Sequence, residues 1–137
     1  MPRGPAHLPG VSGQSPNPSA IGVPFWSLLD DGSALLSLKP GWDGHDGKVI
    51  SRDALRFMHH VLEQVFLTSP QLPEPALVPL SYGGIQAEWY TEKADLEIEV
   101  ESPGHFLWYF HDRQSGIEDE GEGTTDFTLL QELAARI

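Results

Sequence analysis

Cysteine is absent from this chain, which excludes disulfide frameworks, thiol nucleophiles and thiolate metal sites. Basic residues are scarce: eight Lys and Arg stand against twenty Asp and Glu, and the formal net charge at pH 7 is -12. Such a surface repels phosphate backbones and anionic headgroups, so neither direct nucleic acid binding nor membrane attachment is expected. No apolar run approaches the roughly 18 residues of a membrane span, and residues 1–10 carry no hydrophobic segment of the secretory kind. With the lack of cysteine, this leads to the expectation of a cytoplasmic protein. Catalytic signatures are missing as well: there is no nucleophile elbow and no glycine loop running into Lys-Ser or Lys-Thr. No catalytic residue, cofactor or metal ligand is therefore predicted.

What is present suffices for one core: 137 residues, of which 39% are hydrophobic. Residues 1–24 hold six prolines, four glycines and no acid, and show no apolar periodicity. They are expected to form a disordered or loosely docked arm, because little there offsets the entropy of ordering. Residues 25–137 are expected to form a single α+β domain.

A short N-terminal helix is predicted between Trp26 and Lys39, broken near Asp30-Asp31-Gly32 and stopped by Pro40-Gly41. The glycine-rich segment from Gly41 to Gly47 reads as a structural loop in which the Trp42 ring packs below and Asp43 bonds nearby amides. Ser51 then caps the main helix, whose apolar residues Ala54, Leu55, Met58, Val61, Leu62, Val65 and Phe66 recur at spacings of three and four. His59 is expected to face solvent beside Glu63, and Pro70 ends the segment. Beyond Pro75 the period changes to two. Ile85, Ala87 and Trp89 share one face, as do Leu96, Ile98 and Val100, and then Phe106, Trp108 and Phe110. Short turns at Thr91-Glu92-Lys93 and Ser102-Pro103-Gly104 join these strands as an antiparallel meander. Adding a first strand at residues 76–80 and a last one near 116–118 gives a sheet of four to five strands with the main helix on one face. Residues 118–122 read as a solvated acidic loop, and Asp126 as the cap of a short C-terminal helix over residues 127–137.

Gly41-Trp42-Asp43-Gly44, followed by Ile50-Ser51, by Gly83-Gly84-Ile85-Gln86-Ala87-Glu88-Trp89 and by Leu96-Glu97-Ile98-Glu99, resembles a shared pattern. It is found in a group of small bacterial proteins with no established activity, marked by a GWDG loop, an Ile-Ser helix start, a GGIxxEW strand and an LEIEI strand. The resemblance spans roughly residues 35–109, and it implies a setting among defence and toxin–antitoxin genes. Its loop usually continues with an aromatic and a small residue, where this chain has His45-Asp46.

Three catalytic or metal-binding readings of the residues fall short. A calcium loop with Gly47 at its sixth position would place Trp42 and Gly44 where oxygen ligands belong. His60-Val61-Leu62-Glu63 lacks the second histidine of a metalloprotease helix, and His59 points about 100° away from its neighbour His60. Two of Glu88, Glu97 and Glu99 could match a glycosidase pair in number, but an exposed sheet supplies no cleft to raise a carboxyl pKa.

The sheet carries the functional expectation. Between Glu88 and Asp126 lie twelve acids against Lys93 and Arg113. Alternation puts Glu88, Glu97 and Glu99 on the face opposite the core, beside Leu107, Tyr109 and His111. Carboxylates next to aromatic and apolar anchors suit a basic protein partner, with charge steering the encounter and the anchors supplying affinity. The expected role is a non-catalytic inhibitor or accessory partner in a bacterial defence or antitoxin-like system. The alternatives are a phage-type DNA mimic acting on a defence complex, and a small metal-dependent hydrolase using Asp43, His45 and Asp46.

Overall fold

Residues 35–137 are described by the computed structural model. The expected arm at residues 1–24 and most of the expected N-terminal helix lie outside them, with Leu35 and Leu36 helical where the description begins.

The main helix, α1, runs Arg52–Thr68. Ser51 is its N-cap, and the Ser51 Oγ accepts a hydrogen bond from the Ala54 amide at 3.1 Å. Its apolar stripe is buried as expected, with Ala54, Met58, Val61, Leu62, Val65 and Phe66 all inside. Each fully buried aliphatic or aromatic side chain of this kind contributes roughly 1.5–3 kcal/mol. The helix stops before Ser69-Pro70, because the proline ring disfavours helical geometry in the residue ahead of it. One expectation needs correcting: His59 is half-buried, not solvent-facing. It lies seven residues before Phe66, hence only about 20° round the helix from it, and so flanks the apolar stripe. The exposed histidine is His60, whose ring meets Phe127 edge-on at 5.5 Å.

Five antiparallel strands follow in simple meander order: β1 Ala76–Pro79, β2 Ile85–Tyr90, β3 Ala94–Ser102, β4 His105–Asp112 and β5 Glu118–Gly123. The register places Ala87 opposite Ile98 and Ile98 opposite Trp108, so the expected apolar rows do share the face that meets α1. Thr91 closes the β2–β3 turn through main-chain and hydroxyl bonds with Ala94. A register shift between Glu99 and Ser102 puts one extra residue into β3 before Ser102 pairs with His105.

The acidic segment at residues 118–122 is a strand, not the expected loop. Its inward positions are Asp119, Gly121 and Gly123, which carry no apolar signal, and Gly121 and Gly123 pair with Trp108 and Phe106. A Cβ on Gly121 would lie 2.7 Å from the Trp108 ring, and one on Gly123 2.5 Å from the Phe106 ring. Aromatic rings from β4 thus cover β5 in place of side chains of its own.

The C-terminal helix, α2, spans Thr128–Ala134 and buries Leu130, Leu133 and Ala134 beside α1. Phe127 is its N-cap residue, so Asp126 stands one position earlier than expected while its Oδ1 still accepts from the Thr128 amide at 3.0 Å. Gln131 ties the two helices through the Gln64 carbonyl at 2.9 Å.

Candidate functional site

The loop ahead of α1 is built on Asp43. Its Oδ1 accepts from the amides of His45 and Gly47 at 2.9 and 2.8 Å, and these bonds, His45 foremost, hold its carboxyl below the usual range. A Cβ on Gly47 would fall 2.7 Å from that carboxylate. Trp42 is half-buried, and it anchors the segment through Nε1, which donates to the Lys48 carbonyl at 2.7 Å. The loop then docks on the β1–β2 turn: Lys48 N–H donates to the Ser81 carbonyl and Ser51 N–H to the Gly83 carbonyl. Gly83 has φ +101°, and a Cβ on Gly84 would lie 2.5 Å from the Val100 carbonyl. The glycine loop, Ile50-Ser51 and Gly83-Gly84 therefore meet in one place, where they fix the entry into α1. Asp43 has one oxygen committed to main-chain amides, while His45 and Asp46 are exposed. Among the described residues, no three His, Asp or Glu side chains are placed to hold a metal ion.

The outer face of the sheet gathers the other candidates. Glu97 pairs with Tyr109 and Glu99 with Leu107 across β3 and β4, while Tyr109 pairs with Glu120 and Leu107 with Glu122 across β4 and β5. The result is a shallow open trough of about 470 Å³ with Leu107 and Tyr109 as floor and carboxylates on both sides. With strands about 4.8 Å apart, the two carboxylate rows stand roughly 10 Å from one another.

Two of the expected residues do not line the trough, although Glu88 shares its face and pairs with Glu97. Glu88 is only 4% exposed, and Gln86 Nε2 donates to its Oε2 at 2.7 Å. β2 is buried on both faces from Ile85 to Trp89, so alternating polarity there marks a buried polar pair and not a solvated row. His111 belongs to an ion cluster beyond the trough: its Nδ1 lies 3.3 Å from Asp95 Oδ2, and Arg113 grips Asp95 Oδ1 from Nε and Nη2 at 3.1 and 2.8 Å. Conversely, Glu120 and Glu122 were not expected in the site. Their only sequence signal is the acid at every second position from Glu118 to Glu122, which reads equally as a loop.

Compared with known proteins, the chain matches no family model, no curated protein and no solved structure. What it can do must be read from its own side chains.

The carboxylates are positioned, not loose. Tyr82 donates its hydroxyl to Glu99 Oε2 and Tyr90 to Glu97 Oε2, while His105 Nε2 sits 2.7 Å from Glu122 Oε1. Tyr109 reports the local field: desolvation first, then the adjacent Glu118 carboxylate and the charges of Glu97 and Asp95, push its phenol above its ordinary value. It therefore stays a neutral donor in strongly negative surroundings. An apolar floor between two acidic walls suits a Lys or Arg side chain, whose aliphatic stem lies on Leu107 and Tyr109 while its head reaches the carboxylates. No helix among the described residues is long and apolar enough to cross a membrane.

Proposed function

We propose that this chain is a non-catalytic protein-binding domain that offers its acidic outer sheet face to a basic partner. In this reading it acts in the bacterial cytoplasm as an inhibitor or accessory partner in a defence or antitoxin-like system. One observation carries it: Glu97 and Glu99 on one side and Glu120 and Glu122 on the other flank the Leu107–Tyr109 floor. This arrangement combines long-range attraction with short-range anchors. The net charge of -12 favours the same class of partner. The small bacterial proteins with the GWDG pattern suggest the biological setting.

The test starts from the partner captured in the native host, identified by mass spectrometry and purified. Association kinetics are then compared for the wild type and for the double charge reversal Glu97→Lys with Glu122→Lys. The association rate should fall, and the difference should shrink as salt rises, because the screening length is about 8 Å at physiological ionic strength. Tyr109→Ala should act mainly on dissociation. Unchanged binding of the charge-reversed protein at low salt would remove this face from consideration. Loss of the complex only when duplex DNA competes would point to a DNA mimic instead.

A further inference from the structure

We infer that β5 is an acceptor edge for strand addition, and that its occupant is an extended segment of the basic partner, added antiparallel, with Lys or Arg at every second position. The inference rests on the protein-binding reading above and specifies how the partner's main chain is held.

β5 is the last strand of the sheet, and among the described residues no strand pairs with its outer edge. The Asp112 N–H donates to the Ile117 carbonyl at 2.9 Å. Hydrogen-bonded and non-bonded pairs alternate along an antiparallel ladder. Continuing from Asp112–Ile117, the bonds to β4 are made by Asp119, Gly121 and Gly123, so the N–H and C=O groups of Glu118, Glu120 and Glu122 point away from the sheet. The Glu120 N–H is met by the Asp119 Oδ1 at 2.9 Å, which leaves the flanking positions to receive a strand.

Sheet edges in soluble proteins are commonly blunted by proline, lysine or shortness. The opposite edge, β1, has only four residues and includes Pro79. β5 has six residues, with neither proline nor lysine. Its protection is of another kind, and it is selective. A second copy added antiparallel would set Glu120 against Glu120 and Glu118 against Glu122, like charges directly opposite one another. Self-pairing is thus disfavoured, while a strand with basic residues at those positions gains what the copy loses. Cβ atoms of directly opposed residues lie about 4.5–5.5 Å apart, so Lys or Arg on the added strand would meet the three glutamates on the face that holds the trough. Main-chain bonds would give affinity and the alternating charges specificity, as in other cases of strand addition.

The geometry makes a sharp distinction testable. In an added antiparallel strand, the residues whose side chains lie beside Glu118, Glu120 and Glu122 are those whose own amides face β5. The probe is a blocked six-residue peptide alternating lysine and valine, titrated into the whole chain at low salt by calorimetry. Two N-methylated versions accompany it, one at the lysine amides and one at the valine amides. We expect methylation at lysine to weaken binding by about tenfold or more, and methylation at valine to leave it within about twofold. Amide exchange at Glu118 and Glu122 should slow on binding of the unmodified peptide. If the peptide binds but both methylated forms bind equally well, or equally badly, the edge proposal is overturned and the trough reading survives. If the unmodified peptide does not bind, the edge proposal is overturned, while the acidic-face reading is decided separately by charge reversal against the captured partner.

Discussion

Gly121 shows how one residue serves a neighbour's side chain. Its missing Cβ makes room for the Trp108 ring, so Gly121→Ala should cost about 1–3 kcal/mol through overpacking. Chemical denaturation measures the loss, and a double-mutant cycle with Trp108→Leu assigns it: the cost should shrink when the smaller side chain is already in place. Trp42 makes a contrasting case. A fully buried aromatic would cost roughly 3–5 kcal/mol on truncation, but Trp42 is half-buried and bonds the carbonyl of an exposed residue that water can serve. Trp42→Ala should therefore lower stability by only about 1–2 kcal/mol. A loss near 4 kcal/mol in a melting series would show that the ring supports far more than its own loop.

At the scale of elements, α1 is held at its start by two separable bonds. The Ser51 side chain caps the Ala54 amide, and the Ser51 main-chain N–H docks on the Gly83 carbonyl. Ser51→Ala removes only the first and should cost about 1 kcal/mol with an unchanged denaturant slope. Ser51→Pro removes both and should cost clearly more. The equality of the two variants would mean that docking on the β1–β2 turn contributes nothing to stability. α1 and strands β2 to β4 were legible in the sequence because each repeats apolar residues at its own period, 3.6 or 2. β5 was not, since its inward side is glycine and aspartate and the apolar cover comes from Phe106 and Trp108 on β4.

The whole molecule lives with its charge. Self-repulsion at a net charge of -12 opposes compactness, so raising sodium chloride to about 0.5 M should increase the melting temperature, the reverse of what surface ion pairs would give. Acid has two opposed effects. Proton uptake shrinks the net negative charge, and with it the repulsion, as pH falls from 7, first through the ordinary histidine range at about 6.5 and then toward the ordinary carboxylate range at about 4. Asp43, Asp112 and Asp126 have carboxyls lowered in the fold, chiefly by the amides of His45, Ser115 and Thr128. Their contribution is complete above the unfolded value of about 3.8 and is lost as pH falls through the lowered folded values. Melting temperature followed against pH should pass through a maximum on the acid side of neutrality and drop below about pH 4, and Asp43→Ala should flatten that drop. A monotonic decline from pH 7 would show that repulsion is not a significant cost.

From the sequence alone follow the α+β class, the antiparallel meander, the main helix with its Ser51 cap, and the sharing of one outer face by Glu97, Glu99, Leu107 and Tyr109. These depend on periodicity and local hydrogen bonding, which neighbouring residues in the chain decide among themselves. Tertiary structure alone decided that Glu88 is buried against Gln86, that His111 joins Asp95 and Arg113, and that Glu120 and Glu122 complete the trough. Those outcomes depend on which strand lies beside which, and on whether a neighbour's ring or carboxylate fills the space a residue leaves open. Residues far apart in the chain set these relations, so no local pattern encodes them.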